Sequence, residues 1–400
     1  MMEKAAYTSE ISKSLDSVAP EEWDQLGGND DPFLSHAFLH ALEKHDCLGE
    51  HFGWYPRHIL IREQGRLIAA CPAYVKTNSY GEFVFDWSWA SAYERAGGRY
   101  YPKLICGVPY TPVTGKRLLV LPGREDAMAL KQALIDAAIQ FTSDHAYSGM
   151  HWLFTDAGDT ELLRANKLSM RLGCQYHWHN DGYQDFDDFL SRFSSKKRKN
   201  VRRERRMVND QELKLEIIEG PEISDELWEI FYHFYLDTFD KKAGLPTLSL
   251  PFFKEIGEKL GDRVLLVMAR DAEGYVAGAL DFASHNSLYG RHWGSLRDYD
   301  SLHFETCFYQ GIDYAIRRGL QRFEPGAQGE HKITRGFLPT RTWSAHWIAD
   351  PEFRKVIDRF CKQEEAMMAE HCDDLFELSP FRQGAEPPSH AVPVPVTTHD

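Results

Sequence analysis

No stretch of the 400-residue sequence approaches the ~18 consecutive apolar residues that a membrane-spanning helix requires. Its opening, MMEKAAYTSEISKSLD, lacks the apolar core of a secretory signal. The seven cysteines (Cys47, Cys71, Cys106, Cys174, Cys307, Cys361 and Cys372) are scattered, odd in number and include no C-x-x-C. That argues against a zinc knuckle or a disulfide framework and for a reducing, cytoplasmic setting. Positive charge is also in deficit: 46 Lys and Arg stand against 60 Asp and Glu, a formal net charge of −14. Such a surface repels long polyanions, so non-specific duplex binding is disfavoured. What the chain does have is apolar mass. At 43% hydrophobic and 13% aromatic residues it can build two domains with full cores.

Against the acidic background one segment reverses sign. Residues 196–206, KKRKNVRRERR, carry eight basic side chains in eleven positions. Phe186, Phe189, Leu190 and Phe193 precede it at the i, i+3, i+4, i+7 spacing of an amphipathic helix. Ser194 or Ser195 can cap a second helix starting at the lysines, and from 196 to 211 it would run about 24 Å. Lys196, Lys199, Arg203 and Arg206 would line one face of it, a rail suited to the phosphates of a nucleotide, a nucleotide sugar or an RNA backbone. The plainer reading is a solvated cationic helix that neutralises acidic neighbours.

Hydrophobic periodicity predicts a helix at 33–45, then strands at 58–62, 66–77 and 80–87, a helix at 124–145, a strand at 150–155, a helix at 159–167 and a strand at 174–180. The second half repeats the order: strands at 264–270, 275–284 and 287–294, a helix at 302–318, a strand at 321–324, a short helix at 331–337 and a strand at 342–348. An α/β (α+β) unit written twice is the economical architecture, and a tandem pair commonly leaves a ligand cleft where its domains meet. The predicted division is a first unit at 1–190, the basic connector at 191–212, a second unit at 213–380 and a loose Pro-rich tail at 381–400.

The pattern resembles the acetyltransferase-like (GNAT) fold, and its duplication about a basic connector resembles the FemAB-like family of tandem acyltransferases. Stretches similar to the branch associated with peptidoglycan biosynthesis or recognition are PFLSHAFLHALE (32–43), DWSWASAY (86–93), YYPKL (100–104), PYTPVTGKRLL (109–119), FSSKKRKNVRRER (193–205), LYGRHWGS (288–295) and FEPGAQGEHKITRGFLP (323–339). The resemblance spans roughly Asp31 to Cys361. It implies two GNAT-like units and transfer of an acyl or aminoacyl group to an amine, with a cell-wall precursor as one candidate acceptor. Acetyl-CoA enzymes of this superfamily carry a Gln/Arg-x-x-Gly-x-Gly/Ala loop whose amides hold pyrophosphate at a helix N-terminus. The corresponding segments here, SLRDYDSLHFE (295–305) and TGKRLLVLPGRED (114–126), lack that glycine spacing. No cofactor is required, and the expected donor is an aminoacyl-tRNA or an acyl-CoA; tRNA and a small or peptide acceptor are the expected partners.

The densest polar stretch is EPGAQGEHK at 324–332, continuing to Arg335, at the end of a predicted strand, where open α/β sheets bind ligands. Glu330 or His331 would act as base with Glu324 orienting it, and Lys332, Arg335 and Arg291 would hold an anionic substrate group. His292, between Gly290 and Gly294, would face a groove, with Asp281 on the adjacent strand as a partner or a structural group. In the first half, Asp86, Trp89, Tyr93, Lys103 and Tyr110 surround a long aromatic loop that could stack a base or sugar; Lys103, Tyr93 and Tyr110 are its candidate substrate contacts. Lys196, Lys199 and Arg203 would take donor phosphates. His177 and His179 share a strand face but lack further ligands at metal-binding spacing, so no metal is expected. Cys307 reads as packing within a helix. An α-amine with pKa near 8 needs one base to become nucleophilic, so direct transfer suffices without a covalent enzyme intermediate. The rival reading is a non-catalytic module on the same scaffold that recognises peptidoglycan fragments or RNA.

Overall fold

The computed structural model describes residues 7–27 and 30–382; the Pro-rich tail of the sequence analysis falls, from residue 383 on, outside the described residues. In chain order the strands are β1 (Tyr7–Ser12), β2 (Trp54–Pro56), β3 (His58–Glu63), β4 (Arg66–Cys71), β5 (Ala73–Lys76), β6 (Lys103–Cys106), β7 (Leu119–Val120), β8 (Gly149–Trp152), β9 (Ser169–His179), β10 (Lys214–Glu219), β11 (Val264–Arg270), β12 (Tyr275–Ala283), β13 (Ser287–Ser295), β14 (Arg322–Glu324) and β15 (Leu338–Ile348). Two compact units emerge. The first takes residues 1–173, 247–252 and 342–367; the second takes 174–246, 253–341 and 368–400. This interleaving differs from the contiguous division at 190 and 213 expected from sequence. The strands β9 and β15 each carry the chain across a boundary, and the basic helix belongs to the second unit instead of linking two bodies.

In the first unit β1, β3, β4 and β7 form one antiparallel sheet, while β2, β5, β6, β8 and β15 lie side by side in another. There β6 and β8 are parallel, pairing Leu104 with Met150 and Cys106 with Trp152. Ile59, Ile61, Leu104, Leu130, Leu134, Met150 and Trp152 fill its core beneath the helix Ala127–Asp144. The predicted single strand at 66–77 is broken by Pro72, which has no N–H for a ladder. The predicted strand at 80–87 does not form: the chain there is irregular and leads into the helix Trp87–Arg95. Its physical reason is ionic. Glu82 and Asp86 turn inward to the fully buried ammonium of Lys103, which sits 2.8 Å from Glu82 Oε2 and also contacts Asp86.

In the second unit β10, β11, β12 and β13 are an antiparallel meander, β14 pairs parallel with β13, and β9 closes on β14 antiparallel. Each unit thus contains a meander, a helix and a strand returning parallel to it, as the duplicated pattern implied. Ser224 caps the helix Asp225–Lys241 by accepting from the Leu227 amide at 3.2 Å, and Asp225 and Glu226 favour the positive end of its dipole. This helix lies so close to β13 that a Cβ on Gly294 would stand 2.0 Å from the Phe234 carbonyl oxygen. Because the obstacle is backbone, Gly294→Ala is expected to destabilise the protein by about 3 kcal/mol, measured as a lowered denaturation midpoint in urea.

The predicted helix at 302–318 is not uniform. It runs as Leu302–Phe304, a π-helical turn Glu305–Tyr309, and Gln310–Arg317. Such π turns are uncommon and concentrate at functional sites.

Candidate active site in the second unit

β13 and β14 stay paired for only three steps, Ser287 with Arg322, Leu288 with Phe323 and Tyr289 with Glu324. Pro325 follows and cannot extend the ladder. β13 continues to Ser295 paired with β12, and beyond Tyr289 no strand lies along its other edge among the described residues. At the same level a bulge gives β13 one residue more than β12: Leu280 opposes His292 while Asp281 opposes Gly290, leaving Arg291 as the extra residue.

The bulge decides which way side chains point. Cross-strand partners share a face, and consecutive residues such as Leu280 and Asp281 do not, so Gly290 and His292 fall on opposite faces. The expectation that Gly290 and Gly294 leave room beside His292 is therefore corrected. The space at Gly294 is taken by helix backbone, and the His292 ring packs edge-on to Tyr235 and Phe253, 5.1 and 6.2 Å between centroids. Burial there, with the Arg291 charge beside it, lowers the His292 pKa to about 3.

Gly290 instead faces Asp281. A Cβ at 290 would meet Pro325 Cα at 3.2 Å and Asp281 Oδ1 at 3.4 Å, so the glycine keeps the opening clear. Asp281 is 2% exposed, and burial alone, with no cation contributing, pushes its carboxyl well above the usual range. Lys332 is 4% exposed and donates from Nζ to the Gly326 carbonyl at 2.7 Å. Burial lowers its pKa to about 8. Both groups act electrostatically on the Cys307 thiol in the π turn. One unit therefore holds a buried acid shifted up and a buried base shifted down.

Around this pair, Glu324 ends β14 as a buried carboxylate. Arg322 Nε lies 3.0 Å from its Oε1 and His177 Nε2 3.7 Å from its Oε2. Burial lowers Arg291 to about 10 against the opposing pull of the Glu324 charge. His331 stacks among Phe304, Phe308 and His303 at 5.8, 5.8 and 6.4 Å, and burial followed by Lys332 lowers its pKa. His303 is lowered to about 4 by burial and neighbouring positive charge. The Cys307 sulfur lies 3.4 Å from His303 Nδ1, and burial drives the thiol well above its ordinary value, so it stays protonated and is no nucleophile.

Other sequence candidates are placed differently. Glu330 is exposed at the start of the 3₁₀ turn Glu330–Arg335. Arg335 is committed: it binds Glu204 of the basic helix in a fork (Nη2–Oε1 2.7 Å, Nε–Oε2 3.1 Å), donates to the His331 carbonyl and lies over the Phe304 ring. In the helix Ser195–Asp210, Val201 and Val208 are buried, whereas Lys196, Lys199, Arg203 and Arg206 are all exposed. In the first unit, Lys103 is locked in its ion triad, and the buried Tyr110 donates its hydroxyl to the Cys47 carbonyl at 2.8 Å. Tyr93 packs on Phe353. Lys103 and Tyr110 are thereby engaged within the protein, whereas Tyr93 is half-buried. Among the described residues no group of three His, Cys, Asp or Glu side chains is arranged to hold a metal ion, and no helix is long and apolar enough to cross a membrane.

The sequence matches the family of FemAB-like peptidoglycan biosynthesis/recognition proteins over residues 14–383. The chain belongs to the FemAB-like family. No curated protein matches it. Among solved structures, FemX is similar at 12% identity and a TM-score of 0.51, covering 85% of this chain and 98% of its own. The C-terminal domain of a protein assigned as a lysylphosphatidylglycerol synthetase from Agrobacterium fabrum is similar at 10% identity and a TM-score of 0.50, covering 85% and 96%. A tandem GNAT protein of the clavulanic acid pathway matches at 11% identity and a TM-score of 0.44, covering 86% and 99%. At such identities the likeness to FemX and to the synthetase domain is one of fold, and this FemAB-like chain has a mixed α/β architecture. What sequence reasoning missed at the candidate site is the opposite pKa shifts of Asp281 and Lys332. Asp281 looked structural and Lys332 looked like an anion holder, because only burial reveals their shifted pKa values.

Proposed function

We propose that the protein is an N-acyltransferase that moves an acyl or aminoacyl group from an activated ester or thioester to an amine, with a cell-wall precursor as the candidate acceptor. The observation that carries this reading is the end of the β13–β14 ladder at Glu324, with Asp281 and Lys332 buried beside the unladdered edge. Lys332 in its neutral form takes the proton from the attacking amine. The nitrogen bonds to the acyl carbonyl, and backbone N–H groups on the open edge of β13 donate to the developing oxyanion. As the tetrahedral adduct collapses, the C–O or C–S bond to the donor breaks and protonated Asp281 gives its proton to the leaving group. The products are an amide, a free alcohol or thiol, an Asp281 carboxylate and a Lys332 ammonium; proton return resets the pair. Orientation of the two substrates supplies much of the remaining acceleration. The exposed rail Lys196, Lys199 and Arg203 would steer a phosphate-bearing donor, such as aminoacyl-tRNA or an acyl-CoA.

The test is transfer from aminoacyl-tRNA, acyl-CoA and acyl-carrier donors to an amine acceptor, followed by mass spectrometry for the amide. Asp281→Asn should slow transfer about 10²-fold with a natural donor and much less with a 4-nitrophenyl ester, whose leaving group needs no proton. Tight binding of peptidoglycan fragments without consumption of any donor would instead establish a recognition module.

A further inference from the structure

In the segment 80–87 of the first unit, side chains divide sharply between inside and outside. Glu82 and Asp86 are 3% and 2% exposed, whereas Tyr80, Phe83, Phe85 and Trp87 are 43%, 39%, 43% and 59% exposed. The Lys103 triad enforces this division, because both carboxylates are drawn to one buried ammonium. Phe83 is held at φ 60°, a backbone region that bulky residues rarely adopt. A second exposed apolar row lies on the helix Pro351–Glu377: Val356, Phe360 and Met367, at intervals of four and seven that keep them on one face.

The two rows are neighbours. Arg171 donates to the Phe85 carbonyl at 2.7 Å and grips Glu364 of the helix in a fork of 2.7 and 2.8 Å. Its guanidinium lies over Trp89, and Trp89 meets Phe360 edge-on at 6.1 Å. The remaining exposed large apolar side chains among the described residues, Tyr7, Met128, Leu296 and Leu378, are scattered singly. Exposed bases gather beside the patch in a chain that is acidic as a whole. Lys355, Arg359 and Lys362 are exposed beside the helix row, and Arg95 and Arg99 lie beyond Trp87. Exposed Glu94 and Glu352 and half-buried Glu365 are the acids beside these bases, Glu352 holding Lys355 at 2.7 Å. Glu82 and Asp86 turn inward to Lys103, Asp358 to Ser169 and Glu364 to Arg171, while Glu370, Asp373, Asp374 and Glu377 are exposed on the last turns of the helix, beyond Met367.

From this juxtaposition of exposed aromatic and basic side chains we infer that the patch is a membrane-docking face that seats on an anionic bilayer surface. Aromatic rings settle at headgroup depth, and Lys and Arg beside them meet lipid phosphates; neither preference is served by a net-acidic protein surface. The inference is independent of the transfer chemistry proposed above, since it concerns residues of the first unit only.

The test uses the full chain and co-sedimentation with vesicles of phosphatidylglycerol and phosphatidylethanolamine, compared with phosphatidylcholine alone. Binding is expected to the anionic vesicles, with loss at high salt. Trp87→Ser with Met367→Ser should weaken it by at least about tenfold, since each removes apolar surface worth insertion. Arg359→Glu with Lys362→Glu should weaken it similarly. All four positions are exposed, so thermal melts should match the parent. Three results would overturn the inference: no binding to either vesicle, binding that survives Trp87→Ser with Met367→Ser but is lost in Lys196→Glu with Arg203→Glu, or a solution dimer that dissociates in the apolar pair of substitutions.

Discussion

Replacing Lys332 by Met is expected to lower kcat by about 10²–10⁴-fold, the usual worth of a general base, while raising thermal stability. The two effects have one origin. Burial takes the lysine from its ordinary 10.5 to about 8. At 1.36 kcal/mol per unit, that shift is a penalty on the order of 3 kcal/mol for holding the ammonium in the folded chain. Methionine removes the penalty and keeps most of the volume. It also loses the bond to the Gly326 carbonyl, worth about 1 kcal/mol, so a net gain of about 2 kcal/mol is expected. The sign in pH follows from the direction of the shift. Between about 8 and 10.5 the unfolded chain binds the proton that the folded one has released, so stability rises with pH across that window; Lys332→Met should flatten the rise. Activity should climb with pH and level off above about 8, where the amine is neutral. Lys332→Arg should not rescue, because a guanidinium does not deprotonate. A variant that turned over normally, or that lost several kcal/mol of stability, would remove Lys332 from the mechanism.

Much of the second half of the chain was legible in its hydrophobic pattern. The meander at 264–294 and the strand at 342–348 appear close to the expected positions because apolar runs bounded by turn residues are local information. The segment EPGAQGEHK was also correctly placed after β14, since Glu-Pro-Gly cannot extend a strand. What failed were inferences that need a partner from elsewhere in the chain. The bulge at Arg291 reverses the facing of His292, and a bulge leaves no mark in a single strand's pattern. Arg335 looked available until Glu204, 131 positions away, was found across from it. The segment 80–87 has the aromatic content of a strand, yet the demand of one buried lysine for two carboxylates overrides that propensity. Asp281 shows the same limit from the side of chemistry: only its desolvation lifts its carboxyl well above the usual range.

Lys103→Met should be the most damaging change to stability, about 3–5 kcal/mol, because it leaves two carboxylates buried without their cation. Burial works against the ammonium, but Glu82 and Asp86 outweigh it and hold the Lys103 pKa above its ordinary value. Among the described residues Glu82 Oε1 and Asp86 Oδ1 have no hydrogen-bond partner, so beyond the Tyr100 hydroxyl on Asp86 these carboxylates depend on Lys103. The loss would be a large share of a typical domain's 5–15 kcal/mol. Guanidinium or urea titration measures it, and adding Glu82→Gln and Asp86→Asn to Lys103→Met should recover most of it, since neutral amides need no counter-ion. The triad also carries a pH signature. Burial raises Glu82 to about 7, above its ordinary 4.5, so the stability it contributes is complete below about 4.5 and is lost as pH rises through about 7. Glu82→Gln should abolish that decline. The same staple turns Phe83, Phe85 and Trp87 outward, so a Lys103→Met protein that remains folded at low temperature should also lose vesicle binding. If instead Lys103→Met unfolds within about 0.5 kcal/mol of the parent, the ion triad is not what shapes the segment, and the outward aromatics must be held by the strained backbone at Phe83 alone.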